Sequence, residues 1–594
     1  MKKITLFLTV LAALFFVACK DTQPTKNCSN FEELPDPTAD TASTAWNNVK
    51  EGLHASFGTI DERYAKSLVP EVIQTDKATI TGWKGERLSA QMILWSVDGA
   101  QRTECSVSDF KSDNGAMLSG EIAKPHFVRY VMTDIFEPGC GYRKPEDFPA
   151  SLAADMLDNI DCFDIPARTA RPVWVTVDIP RDAKEGKYNA EVNVTVKGKS
   201  KHKFNLELVV QNKTMPEVKD WAFHLDLWQH PSAVARVHNL EMWSDAHFNA
   251  IKPYMEMLAN AGQKVITATL NKDPWNVQTY DPYADMIKWT LKENGEWEYD
   301  YTVFDRWVQM MMDLGVKKML NCYSLVPWNN EIHYFDAKAD SMVNVKADPG
   351  TKIFTDLWTP FLKDFVKHLD SKGWTSITNI AMDERPPKMM KEAINLVQKV
   401  APQLGISLAD NHKSYKEYPF IKDLCVAWGA TVEPEDLAYR KENGMNTTYY
   451  VCCSHKFPNV FTFSDPSEAV YAPMHAMSIG LDGFLRWAYN SWVENPLTDS
   501  RFRTWPAGDT YMVYPEARSS IRFERLLEGI QDVEKVRVLK MELMLSSQED
   551  APAKLEKLEN ALHAFAVDGG KKVPDTPCRD IVNNAKKVIN ELSE

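Results

Sequence analysis

Asp383 and Glu384 are adjacent carboxylic acids closing a short apolar run, Ile377, Thr378, Asn379, Ile380, Ala381 and Met382, and Arg385, Pro386 and Pro387 follow at once. A short apolar run halted by prolines reads as a buried strand entering a loop. Both acids then sit where a central strand leaves its sheet. Ionised side by side in a partly dry cleft they repel, so one of the two pKa values rises. That yields one proton donor and one anion, the division of labour that acetal hydrolysis needs. An Asp-Glu pair also begins many ordinary loops as solvated charge, so the surrounding elements must decide. Side chains alternate along a strand, and both acids can face one substrate only if the strand ends or twists at Asp383. Arg385 offers the contrary reading, an ion pair that neutralises one of them.

The elements that would position the pair are legible around it. From about Trp221 strands alternate with helical stretches. Seven further strand candidates flank the run that ends at Asp383: 223–228, 265–270, 319–324, 406–410, 424–428, 447–452 and 483–487. Amphipathic runs at 355–369 and 389–400 lie between them. Eight strands with crossover helices over 216–514 match a (β/α)8 barrel. Residues 281–300, with Asn294-Gly295 between alternating stretches, read as a hairpin inserted after the second strand. Before the barrel, 46–215 is β-rich, with alternating runs at 78–83, 88–95 and 172–178 and a closing hairpin at 186–196 and 204–210. That spacing predicts a β-sandwich, placed to support the barrel or shape one wall of its cleft. After Pro515 the chain turns helical, with Ile521, Leu527, Ile530, Val533, Val536 and Leu539 along one face, and 515–594 reads as a helical region packed on the barrel. The expected class is therefore multidomain, α/β plus all-β.

In such a barrel the site lies at the C-terminal ends of the strands. The first strand delivers Gln229 and His230, the second Asn271 and the third Tyr323. The fifth gives Asp410, Asn411 and His412, the sixth Trp428, and the eighth Trp487, Tyr489, Asn490 and Trp492. Carboxylates, amides and aromatics dominate this rim, while Lys and Arg are scarce. It suits a neutral, hydroxyl-rich ligand better than a phosphate. Sugars stack their apolar faces on aromatic rings, and the chain holds 18 Trp and 20 Tyr, most of the Trp reading as core enlargement and a minority as available for stacking. His230 and His412 have no third ligand at useful spacing for a hydrolytic zinc site, so neither metal nor cofactor is expected. A net charge of −14 argues against a nucleic-acid partner.

The N-terminus reads as an export signal. Lys2-Lys3 precede an apolar stretch, 4–17, too short to span a bilayer comfortably. It ends Phe16-Val17-Ala18-Cys19, similar to a bacterial lipobox. The reading is a signal peptide over 1–18, acylation of Cys19, and a tether over 19–45 that anchors the protein in the cell envelope, its one contact with a membrane. Of 10 Cys, nine then remain, an odd number that forbids complete pairing. Cys105, Cys140 and Cys162 could include one disulfide; adjacent Cys452 and Cys453 cannot bridge each other in the ordinary way, and most thiols read as buried and apolar.

Three segments in order carry a resemblance: Asp383-Glu384, the run 482–492 (DGFLRWAYNSW), and 520–532 (SIRFERLLEGIQD). Together with the order sandwich, barrel, helical tail, they resemble glycoside hydrolase family 123. The likeness spans essentially the whole mature chain. It implies an exo-acting β-N-acetylgalactosaminidase that uses its substrate's own acetamido group as nucleophile, on a glycolipid, glycoprotein or oligosaccharide. Carried over, Glu384 is the general acid/base, and Asp383 orients the acetamido group and stabilises the oxazolinium. Tyr323 becomes a partner for the acetamido oxygen, and Trp487 or Trp492 a floor for the ring. Related sequences share the 520–532 type of segment without known activity, so that tail speaks for fold more than chemistry. Two other readings stay open: a glycosidase of different sugar preference, such as a β-N-acetylglucosaminidase, and a surface lipoprotein that binds glycans without cleaving them.

Overall fold

The structure is a computed structural model that describes residues 28, 31–40, 43–137, 139–141, 144–566 and 573–594. The expected signal peptide and Cys19 lie outside these residues. The β-rich part forms two packed sheets. One orders its strands Leu53–Gly58, Arg87–Ser96, Thr169–Asp178, Ala123–Thr133 and Ser151–Leu157. The other runs Lys77–Lys84, Lys199–Thr214, Gly186–Val196, Ala100–Val107 and Phe163–Ile165, with the expected antiparallel hairpin at its centre. Inward residues such as Met92, Leu94, Val173, Val175, Val192 and Leu206 alternate along these strands and fill the space between the sheets.

All eight barrel strands fall where the sequence places them: β1 His224–Leu227, β2 Val265–Thr269, β3 Met319–Tyr323, β4 Thr378–Asp383, β5 Gly405–Asp410, β6 Asp423–Ala427, β7 Asn446–Tyr450 and β8 Gly483–Arg486. They pair in parallel from β2 through β3 to β8 and on to β1. The β1–β2 seam is closed by a single bridge, Leu225 to Gln263, and by the Lys264 N–H on the Leu225 carbonyl at 3.0 Å. The hairpin expected after β2 is present as Lys288–Leu291 and Trp297–Asp300. A second hairpin, Glu331–Asp336 and Ser341–Lys346, follows β3 and joins it in a four-stranded sheet beside the mouth.

The long helix Ile521–Leu545 corrects the picture of a helical appendix resting on the barrel. Its apolar face is as expected, but the opposite face is not solvated. Arg522 reaches Asp155 at 2.9 Å, Arg525 reaches Asp61 at 2.6 Å and Glu524 takes Arg87 at 2.8 Å, all sandwich partners. Lys535 pairs with Glu86 in the same interface. The helix is a spine between barrel and sandwich, and charge patterning alone cannot tell such a face from a wet one. Asp155 sits at the centre, accepting Arg63 at 3.1 Å, Arg522 at 2.9 Å and the Tyr514 hydroxyl at 2.6 Å. Removing one member strands the others without compensation. Asp155→Ala is expected to cost about 3–5 kcal/mol, read as a lower urea midpoint at unchanged slope. A shift under about 1 kcal/mol would mean that the cluster is effectively hydrated.

Two further expectations need correction. The tether drawn over 19–45 is already attached to the sandwich well before residue 45: Cys28 is disulfide-bonded to Cys162, and Glu33 is buried against Arg129 at 3.2 Å and Arg171. Burial alone would raise the Glu33 carboxyl, but the Arg171 guanidinium and then the Lys66 ammonium hold it well below the usual carboxylate range. The second disulfide, Cys140 to Cys453, joins a sandwich loop to the barrel rim across 313 residues. Neither bridge lies within the set Cys105, Cys140 and Cys162: Cys162 takes its partner from the N-terminal segment and Cys140 from the barrel. Cys105, Cys322, Cys425, Cys452 and Cys578 remain thiols.

Candidate active site

The run 378–382 is fully buried as β4, and Asp383 is its last residue. Glu384 then adopts φ +44°, the left-handed region that L-residues other than Gly seldom occupy. Its N–H still reaches the Ala409 carbonyl of β5 at 3.0 Å, so the chain is held at the sheet while the strand alternation is broken. Pro386 keeps Arg385 out of helical geometry, and Pro387 opens the next helix, Pro387–Val400. The condition set by strand geometry is thus met: the strand stops at Asp383 and the backbone turns at Glu384. Arg385 does not neutralise the pair by a direct contact. Its guanidinium donates to Asn330 Oδ1 at 3.0 Å and lies over the Trp328 ring, 5.2 Å from the centroid.

Each acid has its own partners. Asp383 Oδ2 accepts the indole N–H of Trp275 at 2.9 Å and of Trp328 at 3.3 Å. Glu384 Oε1 is hydrogen-bonded by the Tyr450 hydroxyl at the end of β7. Trp275 is packed in an aromatic cluster, with ring centroids 5.0 Å from Trp228, 4.9 Å from Tyr323 and 4.5 Å from Tyr283. The cluster lines the inside of the mouth together with Ala381, Cys425, Tyr450 and Leu485. Burial, and next the charge of Glu384, push the Asp383 carboxyl up to about 7, against the opposing pull of the two indole donors and the Arg385 charge. Burial, joined by the Asp226, Asp383 and Asp423 charges, raises the Tyr323 phenol well above its ordinary value, so it stays a neutral donor.

A sandwich, a nearly closed parallel barrel and a paired acid at the end of β4 match one family of known proteins. The model of the glycoside hydrolase 123 catalytic domain matches residues 228–539, and that of the family's N-terminal domain matches 57–196. The chain belongs to glycoside hydrolase family 123. Among solved structures it is similar to a family 123 glycoside hydrolase from Clostridium perfringens, whose structural analysis addressed glycolipid glycan hydrolysis. The two are 27% identical, with a TM-score of 0.81, covering 91% of this chain and 98% of that one. A family 39 glycoside hydrolase from the gut symbiont Bacteroides cellulosilyticus WH2 is also found, at 8% identity and TM-score 0.34 over 77% of this chain and 82% of that one. No curated protein sequence matches the chain.

Family 123 membership makes the chain a glycoside hydrolase, and the barrel mouth is its candidate site. Of the residues expected there, Tyr323 packs against Trp228 and Trp275, the second of which bonds Asp383. Trp487 borders the same cluster, edge-on to Trp505 at 5.7 Å, with its indole bonded to Asp509. Trp428 is partly buried at the rim, edge-on to His455 at 6.0 Å. The others are placed differently. Asp410 is buried and turned into its own loop, taking the His412 N–H at 3.0 Å, the Ser414 N–H at 2.6 Å and the Ser414 hydroxyl at 2.9 Å. That turn leaves Asn411 and His412 exposed. Tyr489, Asn490 and Trp492 are wholly buried. Tyr489 donates to the Tyr254 carbonyl at 2.9 Å and Trp492 to that of Val513 at 2.7 Å. Asn490 clasps the backbone of His230, accepting its N–H at 2.9 Å and donating to its carbonyl at 3.1 Å. These three seal the β1–β8 corner, so Trp492 cannot serve as a sugar floor. His230 stacks on Tyr283 at 3.7 Å and meets Ser491 at 2.9 Å, and burial lowers it to about 3, keeping it neutral.

Sequence reasoning missed the three residues that touch the acids. Trp275 and Trp328 lie six and five residues beyond the ends of β2 and β3, past the strand-end positions. Tyr450 was placed inside the seventh strand, whereas that strand ends on it. A search for aromatics at the last residues of β2, β3 and β7 and anywhere in the loops after them finds all three.

Proposed function

We propose that this family 123 glycosidase removes terminal, non-reducing β-linked N-acetylgalactosamine by substrate-assisted catalysis with retention. The observation that carries the reading is the pair itself: Asp383 and Glu384 at the turn that ends β4, each anchored by a different donor. Retaining enzymes with an enzymic nucleophile place two carboxyls about 5–5.5 Å apart across the bond, and substrate-assisted ones do without that arrangement. Adjacent acids on one turn suit the second plan. The acetamido oxygen attacks the anomeric carbon while Glu384 delivers its proton to the departing glycosidic oxygen. Asp383 accepts the acetamido N–H, aims the carbonyl and offsets the positive charge of the forming oxazolinium. Glu384, now a carboxylate, deprotonates the water that opens the ring. Tyr323 donates to the acetamido oxygen, and Trp487 offers the sugar a face.

The proton must sit on Glu384 when the bond breaks, although Asp383 has the pKa raised to about 7 in the free protein. Substrate resolves this, because the acetamido N–H and the developing cation both favour an ionised Asp383. On a substrate whose acidic phenol departs without help only an ionised Asp383 is needed, so kcat/KM, which reports the free enzyme, should fall about tenfold per unit as pH drops below about 7, where Asp383 becomes protonated. A pH profile on a chromogenic substrate checks this, and a flat acid limb down to about pH 5 would refute it. Asp383→Asn should lose the limb along with most of its rate.

The similar Clostridium perfringens enzyme was studied on glycolipid glycans, and a glycolipid headgroup is the proposed natural substrate class here too. The signal-like stretch before Cys19 supports export and lipid anchoring in the cell envelope. Hydrolysis of a chromogenic β-N-acetylgalactosaminide by the chain from residue 28 onward tests the reading. Faster turnover of the gluco epimer would move the specificity, and turnover of neither would favour a binding protein.

A further inference from the structure

Asp383 poses a problem that its own chain segment does not solve. Two carboxyls share one turn, and the chemistry requires a single proton on them, carried by Glu384. Something must disfavour that proton on Asp383. The groups around Asp383 are few. Glu384 and Arg385 lie beside it, Tyr323 approaches from β3 and Cys425 from β6, and Tyr450 of β7 reaches it only through Glu384. Tyr323 and Cys425 are buried and raised well above their ordinary values, so both stay neutral through the working range.

What remains are the two indoles. An indole N–H donates and cannot accept. Two such donors on Oδ2 leave no acceptor there for a carboxyl proton, while both are strengthened when the oxygen is anionic. Their placement is built. Trp328 donates its backbone N–H to the Pro274 carbonyl at 2.8 Å, and Asn329 meets Asn276 at 3.3 Å, so the loops after β2 and β3 are laced together. Lys272 pairs with Glu331 across the same loops, and Asn271 exchanges two 2.9 Å bonds with the backbone of His333. Asp273 turns the first loop by accepting the Val277 N–H at 2.7 Å. The second hairpin of the inserted sheet thus helps to fix where both indoles point.

We propose that Trp275 and Trp328 are positioning residues that reserve the proton of the acid pair for Glu384, by holding Asp383 as an anion through Oδ2 and leaving Oδ1 for the acetamido N–H. The inference rests on the reading of Asp383 and Glu384 given above and adds the device that divides their roles. Tyr450 complements it on the other acid, since its hydroxyl occupies Oε1 of Glu384 and leaves Oε2 to carry the proton.

The test uses the full folded chain labelled with fluorotryptophan and read by fluorine NMR, without substrate. Two indole resonances are expected to titrate together near pH 7 in the parent and to be pH-independent in Asp383→Asn. Trp275→Phe and Trp328→Phe assign them, keeping an aromatic ring in place while removing the donor. In kinetics on a substrate with an acidic phenol, which needs no proton from Glu384, each variant should move the acid limb of kcat/KM upward by about one unit, a tenfold loss at about pH 6 that fades above about pH 8. Resonances that fail to titrate, or that titrate equally in Asp383→Asn, overturn the proposal. So does a rate loss equal at every pH, the mark of a packing role alone. If a Phe variant does not fold, comparison of the labelled parent with Asp383→Asn still decides. A titrating pair in a protein that turns over no N-acetylgalactosaminide would sink the substrate assignment and leave the indole–carboxylate device standing.

Discussion

Glu384→Gln is expected to lower kcat on a β-N-acetylgalactosaminide with a poor leaving group by about 10²–10⁴, the usual worth of a positioned general acid–base. Glutamine keeps the shape and the Tyr450 contact but brings no proton that can leave. The loss should depend on the aglycone. An acidic phenol departs without help, so the first step recovers and only the opening of the intermediate stays slow. A burst of phenol followed by slow turnover is therefore the expected trace, at unchanged thermal stability. A uniform loss for acidic and basic aglycones would place the acid elsewhere, with Tyr450 the next group in line.

Removing the 2-acetamido group from the substrate should cost more than either acid. In the matching β-galactoside the nucleophile itself is missing, and a tethered nucleophile has an effective concentration of about 10⁵ M or more. Turnover is expected to fall by at least about 10⁵, into the background. Asp383→Asn belongs to the same prediction from the protein side: the amide no longer offsets the oxazolinium charge, for a loss of about 10²–10³. The two losses should not multiply. On the galactoside Asp383 has no acetamido group to orient, so the parent and Asp383→Asn should be equally poor. A galactoside turned over within about tenfold of its acetamido counterpart would require a nucleophile from the chain.

The barrel was readable from the sequence because each strand is a short apolar run bounded by turn residues, as in 265–270 or 319–324, and the order of helices and strands then permits few folds. The acid pair was readable because Pro386 and Pro387 mark where its strand must stop. Positions set by packing between distant segments were not. Trp492, Tyr489 and Asn490 sit just past β8, where a barrel puts its chemistry, yet they close the corner against β1. Asp410 sits at the end of β5 and spends its oxygens on the turn that follows. Conversely Trp275 and Trp328 return to Asp383 from farther along their loops, and no periodicity records a loop folding back. The charged face of Ile521–Leu545 shows the same limit, since Arg522 and Arg525 look solvated until the sandwich supplies Asp155 and Asp61.

The most direct measurement follows the anomeric proton by NMR as the chain from residue 28 onward cleaves an aryl β-N-acetylgalactosaminide. Two successive displacements, by the acetamido oxygen and then by water, return the configuration to its start. The β-anomer of free N-acetylgalactosamine should appear first and only later drift to the equilibrium mixture. First appearance of the α-anomer would mean a single displacement by water, and Asp383 would then be a base rather than the partner of the acetamido group.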